Sequence, residues 1–235
     1  MSVFAQESGA RRELLPTGTL RVGINAVNVL TREVGSDIGR DLARRLDAEV
    51  VLLEYPGPGA VVDAVEDWDI AFVAADPGRE TGLSFTTPYV ELDGTYLVRG
   101  DSAIRMVADA DRVGVTIASA AGAVFTLVLQ RDITRATLVS VGNDEALEGM
   151  QAGTIDAIAG LRDRLLRIAD RVPGSRVLQD NISRAQQAVA VPKANTAALA
   201  YLAGYLEELK RSGRLASFLE SAVRKTGFVG ASIVQ

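Results

Sequence analysis

The stretch Ile70-Ala71-Phe72-Val73-Ala74, followed by Arg79 and then by Phe85-Thr86-Thr87-Pro88-Tyr89, decides how this chain is read. The first five residues form an apolar run of strand length, preceded by Asp69 and followed by Ala75 and Asp76. Arginine presents a rigid fork of donors that matches a carboxylate with two parallel hydrogen bonds. Just beyond the carboxyl end of a strand in an alternating α/β chain, it stands where such folds take ligands. A solvated loop arginine is the plain alternative, so the surrounding chain has to carry the distinction.

Working outward, strand-like and helix-like segments alternate. Leu20–Ile24 reads as a buried strand. Ser36 is placed to cap a helix in which Ile38, Leu42 and Leu46 recur every fourth position. Val50–Leu53 and Ile70–Ala74 are further strands, with a short helix over 60–65 between them. Gly94–Val98 is another strand, closed by Gly100-Asp101-Ser102. The alternation then resumes: strand 113–117, helix 121–129, strand 138–141 and helix 145–151, capped by Asn143 or Asp144. Strand 157–159 and helix 162–169 follow, Val177-Leu178 begins a strand, and Ala188–Val191 ends at Pro192. Helices 196–211 and 215–225 close the chain, while residues 1–18 read as a tail ending in a turn at Pro16 and Gly18. The pattern predicts an α/β fold of parallel sheets with covered faces, arranged as two lobes. Lobe 1 is discontinuous (1–99 plus 192–235), lobe 2 spans 102–189, and a double crossover near 98–102 and 188–192 forms the hinge. Such a protein is expected to close on something in its cleft.

Composition narrows the chemistry. Of 235 residues, 48% are hydrophobic and 23% charged, an ordinary globular balance. The net charge of −5 argues against a nucleic-acid partner. With no cysteine and no histidine, thiol catalysis, disulfides, a Ser-His-Asp triad and the commonest metal ligands are excluded. No metal or other cofactor is expected. Gly57-x-Gly59 lacks the lysine of a phosphate-binding loop. No apolar run reaches membrane-spanning length. Val3-Phe4-Ala5 before Gln6 fits either the stub of a removed signal peptide or a plain polar leader.

Four segments, in order and spacing, resemble the family-3 bacterial extracellular solute-binding proteins, the amino-acid type that serves ABC transporters with a type II periplasmic-binding-protein fold. They are Leu20-Arg21-Val22-Gly23, Asp41–Leu46, Arg79 through Tyr89, and Gly153-Thr154-Ile155-Asp156-Ala157. The resemblance covers about residues 14–228. It implies a non-enzymatic monomer that binds a small carboxylate-bearing solute, an amino acid or a similar organic acid, and delivers it to a permease in the inner membrane. It implies that Arg79, beside Ala74 and Asp76, clamps the carboxylate. The turn Ser119-Ala120-Ala121-Gly122, at a helix start where anions are favoured, offers N–H groups to the same carboxylate. Asn25 and Asn28 occupy the loop where the family tends to carry a stacking aromatic. Leu161 occupies the position where the family's acidic residue pairs with the ligand ammonium, and leucine cannot do that. Asp76 and Asp163 are the available substitutes, and the Arg162-Asp163-Arg164 cluster otherwise reads as a solvated helix face. Asp156 reads as a turn or cap residue and Trp68 as packing.

Two alternatives stand beside transport. The family has dehydratase relatives, but 102–192 contains no lysine and only Glu145 and Glu148 as glutamates, which leaves few candidate bases. A sensory or orphan binder is the other. Periplasmic location is expected if a signal peptide was removed upstream, cytoplasmic location otherwise.

Overall fold

A computed structural model describes residues 3–234. The chain runs α1 (Val3–Leu14), β1 (Thr19–Asn25), α2 (Val29–Arg45), β2 (Glu49–Tyr55), α3 (Pro58–Asp63), β3 (Ile70–Ala74), β4 (Leu83–Phe85) and β5 (Val90–Arg99). It continues with β6 (Thr116–Ser119), α4 (Val124–Asp132), β7 (Thr137–Ser140), α5 (Asn143–Ala152), β8 (Ala157–Leu161) and α6 (Arg162–Ala169). It ends with β9 (Ser175–Val177), β10 (Ser183–Pro192), α7 (Thr196–Arg211), α8 (Arg214–Thr226) and β11 (Ala231–Ile233). Among the described residues, no helix is long and apolar enough to cross a membrane.

Two compact units emerge among the described residues: 3–91, 186–228 and 232–234 form one, 92–185 and 229–231 the other. The boundaries fall inside β5 and β10 rather than in the turns near 98–102 and 188–192, because each of these ten-residue strands runs from one unit into the other.

In the first unit β1 is central, with parallel partners β2 and β3; β10 then joins β3 antiparallel. The sheet is therefore mixed, not the wholly parallel one expected. β3 is buried along its length, as a strand covered on both faces should be. Against it pack Val61, Trp68, Leu83 and Ala190. The Trp68 indole donates to the Val61 carbonyl (2.8 Å). α2 starts at Val29, a full two turns before the expected cap at Ser36; the cap is Asn28, whose Oδ1 accepts from Thr31 N at 3.2 Å. Gly35 and Ser36 lie inside this helix. A Cβ on Gly35 would come within 2.8 Å of Phe72, so glycine lets the helix sit close on the sheet. The supposed tail is α1, which buries Ala10 and Leu14 against α7.

In the second unit β5 pairs antiparallel with β8 and β9, while β8, β6 and β7 run parallel. One cluster gathers Tyr96, Ile117 and Leu129, a second gathers Leu97, Met150 and Leu165. Because neighbouring β5 residues Tyr96 and Leu97 enter different clusters, the strand feeds a core on each face. β6 begins at Thr116, since Gly114 adopts φ +86° and Val113 is 85% exposed, so the strand expected from Val113 starts late. Helix α4 begins at Val124 rather than Ala121, α5 is capped by Gly142 rather than Asn143 or Asp144, and β9 ends at Val177 instead of beginning there. Asp156 has the expected structural role: its Oδ2 accepts from Thr116 N (2.8 Å).

The carboxylate of Asp111 accepts from the N–H groups of Thr134, Arg135 and Ala136 at 3.1, 2.7 and 2.9 Å. Those backbone bonds hold its pKa at about 2. The folded pKa is depressed, so its stabilising contribution is present above the unfolded value of about 4 and is lost as pH falls toward the folded one. The melting-temperature gap between wild type and Asp111→Asn is expected to be largest near neutrality and to shrink at pH 2.5. A gap independent of pH would contradict the assignment.

Candidate functional site

The candidate residues sit at strand ends within each unit. In the first unit, β1 ends at Asn25 and β3 ends at Ala74. Asp76 then caps a single 3-10 turn, Pro77–Arg79, by accepting from Gly78 N at 2.8 Å. This turn carries Arg79 back over the strand end, where its Nη1 donates to the Ala74 carbonyl at 2.5 Å. Ala74 thus serves through its carbonyl, by fixing the guanidinium. Arg79 is 5% exposed and Asp76 3%. Burial lowers the Arg79 pKa and the Asp76 carboxylate opposes that shift. Asp76 therefore favours the charged form of the arginine.

Asn25 and Asn28 act locally through their carbonyl oxygens. Asn25 Oδ1 accepts from Val27 N at 3.3 Å, and Asn28 Oδ1 caps α2. Asn28 is buried, as are Thr31 and Gln187; the Thr31 hydroxyl lies 3.5 Å from Gln187 Oε1. Gln187 stands opposite Ala74 across the β3–β10 ladder. Thr31 gave no signal in the sequence, because it lies before the helix expected from Ser36 and enters α2 only when that helix starts at Val29. Tyr89 is fully buried, edge-on to Phe72 with ring centroids 5.9 Å apart, and its hydroxyl has no hydrogen-bond partner among the described residues. Burial raises its pKa. Thr86 is spent on the sheet: its Oγ1 accepts from Val189 N at 3.1 Å.

In the second unit β6 ends at Ser119, which is buried. The Thr126 hydroxyl lies 2.7 Å from Ser119 Oγ and 2.6 Å from the Ala120 carbonyl. The serine side chain therefore ties the strand to α4. What the turn has left to offer a ligand is backbone. Gly122 takes φ +67°, which brings the chain around to Ala123, the residue preceding the helix. Ser119, Ala120 and Gly122 form a turn that precedes α4 instead of being its first turn.

Leu161 ends β8 opposite Gly94 and precedes α6 without any side-chain cap. Asp163, the nearest acid, is 5% exposed and committed: its Oδ1 accepts from Val229 N at 3.1 Å and its Oδ2 from Arg167 Nε at 3.0 Å. The expectation of a solvated Arg162-Asp163-Arg164 face is corrected here. Arg162 reaches the carbonyls of Leu178 and Gln179 at 2.6 and 2.9 Å, and only Arg164 keeps its guanidinium outside such a network. Local charge spacing could not reveal this, because the partners lie far along the chain. Among the described residues, no group of three or more Asp, Glu, His or Cys could hold a metal.

Solved structures share this architecture. An ArgBP mutant from T. maritima gives a TM-score of 0.71 at 23% identity, covering 92% of this chain and 99% of that one. An amino acid ABC transporter substrate-binding protein from Streptococcus pneumoniae, bound to L-arginine, gives 0.70 at 18%, covering 90% and 97%. The chain has the type II periplasmic-binding-protein fold. An ancestral amino acid-binding protein, a precursor of cyclohexadienyl dehydratase, matches that fold equally well, at 0.71 and 21% over 90% and 97% of the chains. No protein-family model and no curated protein matches the sequence. At these identities the binding-protein fold is shared, and the ligand has to be argued from the residues.

Proposed function

We propose that this chain binds a small carboxylate-bearing solute and delivers it, from the periplasm, to an ABC-transporter permease. The observation that carries the reading is the buried Arg79 guanidinium, held at the end of β3 by the Ala74 carbonyl and supported by Asp76. A pre-oriented, desolvated arginine is costly to keep and suits a carboxylate. The Ser119–Gly122 turn of the second unit and the side-chain amides of Asn25 and Asn28 in the first are the further polar groups proposed for the solute. Solved relatives of this fold are amino-acid-binding transporter components, which supports solute binding. An enzymatic reading is weaker: Glu145 and Glu148, the only glutamates of 102–192, both lie exposed on α5.

A ligand-stripped preparation is expected to be stabilised by at least one small carboxylate in a thermal-shift panel of amino acids and their hydroxy and keto analogues. At about 100 times the dissociation constant the gain is about 2.7 kcal/mol. Arg79→Ala is expected to weaken that ligand at least about tenfold by calorimetry, since a charge-assisted pair is worth about 1.5–3 kcal/mol. Unchanged affinity would remove Arg79 from the site.

A further inference from the structure

We infer that the second unit receives an anionic group of the solute at Arg164, so that the solute carries two acidic groups in place of the carboxylate and ammonium of an amino acid. The inference rests on the carboxylate-binding reading and specifies its solute.

Arg164 lines a small hollow of about 10 Å³, room for one water-sized group, together with Ser119, Ala120, Asn143 and Ala159. These residues stand at the carboxyl ends of β6 and β8 and at the start of α5, the end of a parallel sheet that favours ligands. The pocket thus adjoins the turn already assigned to the solute. No carboxylate lines it, and Arg164 is its only charged group. An ammonium there would meet a cation, whereas an anion would meet a guanidinium and the N-terminal end of α5.

The other arginines of α6 are accounted for. Arg162 is bonded to backbone carbonyls and to Asn181 Oδ1 (2.6 Å), and Arg167 to Asp163. Among the described residues Arg164 makes no hydrogen bond or ion pair, although burial of its guanidinium lowers its pKa. The one carboxylate acting on it, Asp144, is 77% exposed and already 2.8 Å from Arg171. A cation in the first turn of a helix also opposes the helix dipole. Folding therefore gives no return for an arginine at this position, and an incoming anion would. Leu161 and the committed Asp163 complete the reversal: where an ammonium would need a carboxylate, this unit offers a guanidinium.

The test is calorimetry of linear dicarboxylates from malonate to adipate, each against its own monoamide, with phosphoglycolate as the phosphate-bearing probe. The wild type is expected to bind at least one dianion about tenfold or more tightly than the matched monoamide. In Arg164→Gln that preference is expected to collapse while the melting temperature of the free protein holds, because no internal bond is lost. Phosphoglycolate outbinding every dicarboxylate would identify the second group as a phosphate. If the wild type binds monoamides as well as dianions, or if Arg164→Gln retains the preference, the inference is overturned while the carboxylate site stands. If no carboxylate binds the wild type, the carboxylate reading falls and takes the inference with it.

Discussion

Trp68→Ala is expected to destabilise the protein by about 3–5 kcal/mol, the range for deleting a buried large aromatic. Trp68 is 1% exposed and is the largest fully buried side chain. It packs with Val61, Val73 and Leu83, and its neighbourhood is shaped to it: a Cβ on Gly23 would lie 2.9 Å from the indole Cδ1. Strand β1 therefore cannot move in to fill the space without losing its register on β2 and β3, and the cavity persists. Removal of the indole also strips the Val61 carbonyl of its donor. Trp68→Phe should recover part of the loss by refilling the volume, but not the hydrogen bond. Guanidinium and thermal melts of the two variants measure the difference, and a loss below about 1 kcal/mol for the alanine variant would contradict the packing described.

Gly100→Ala is the second large effect, a loss of about 3 kcal/mol, at the upper end for overpacking. Gly100 follows β5, and Gly174 precedes β9 with φ +80°. Because Arg99 pairs with Ser175, the ladder fixes the two glycines against each other. A Cβ on Gly100 would lie 2.0 Å from the Gly174 carbonyl oxygen. No rotamer change can relieve a clash with main chain, so the end of the β5–β9 ladder has to open. Gly82 provides the contrast: a Cβ there meets nothing within 4 Å. Gly82→Ala is thus expected to stay near wild-type stability, and equal melts for the two variants would show that the Gly100 contact yields freely.

Where local pattern and tertiary demand agree, the sequence was sufficient. Helices α6 and α7 run over 162–169 and 196–211, the bounds that apolar periodicity and turn residues dictate. It failed where a distant segment supplies the missing stabilisation. Helix α1 looked like a tail because its own apolar face is thin; α7 completes it, and Glu13 repays by accepting from Ala198 N at 2.8 Å, capping a helix whose own Asn195 makes no side-chain cap. Ser36 looked like a cap because serine favours that role, but the same hydroxyl is tolerated inside α2 once Asn28 takes the N-terminus. The mixed pairing of β10 was equally hidden, since strand direction depends on the crossover and not on the residues of the strand.

The candidate site divides along the same line. Residue types and their order determined the α/β class, the arginine after β3, the turn after β6 and the absence of an acid at Leu161. The tertiary structure decided which polar groups remain for a ligand. It used Ser119 Oγ on Thr126, Asn28 Oδ1 on Thr31 and Asp163 on Arg167 and Val229, fixed Arg79 on Ala74, and, among the described residues, left Arg164 outside any internal bond. A polar side chain's role is set by whether a partner arrives from elsewhere in the chain, 66 residues away for Asp163 and Val229, and local spacing does not record such arrivals.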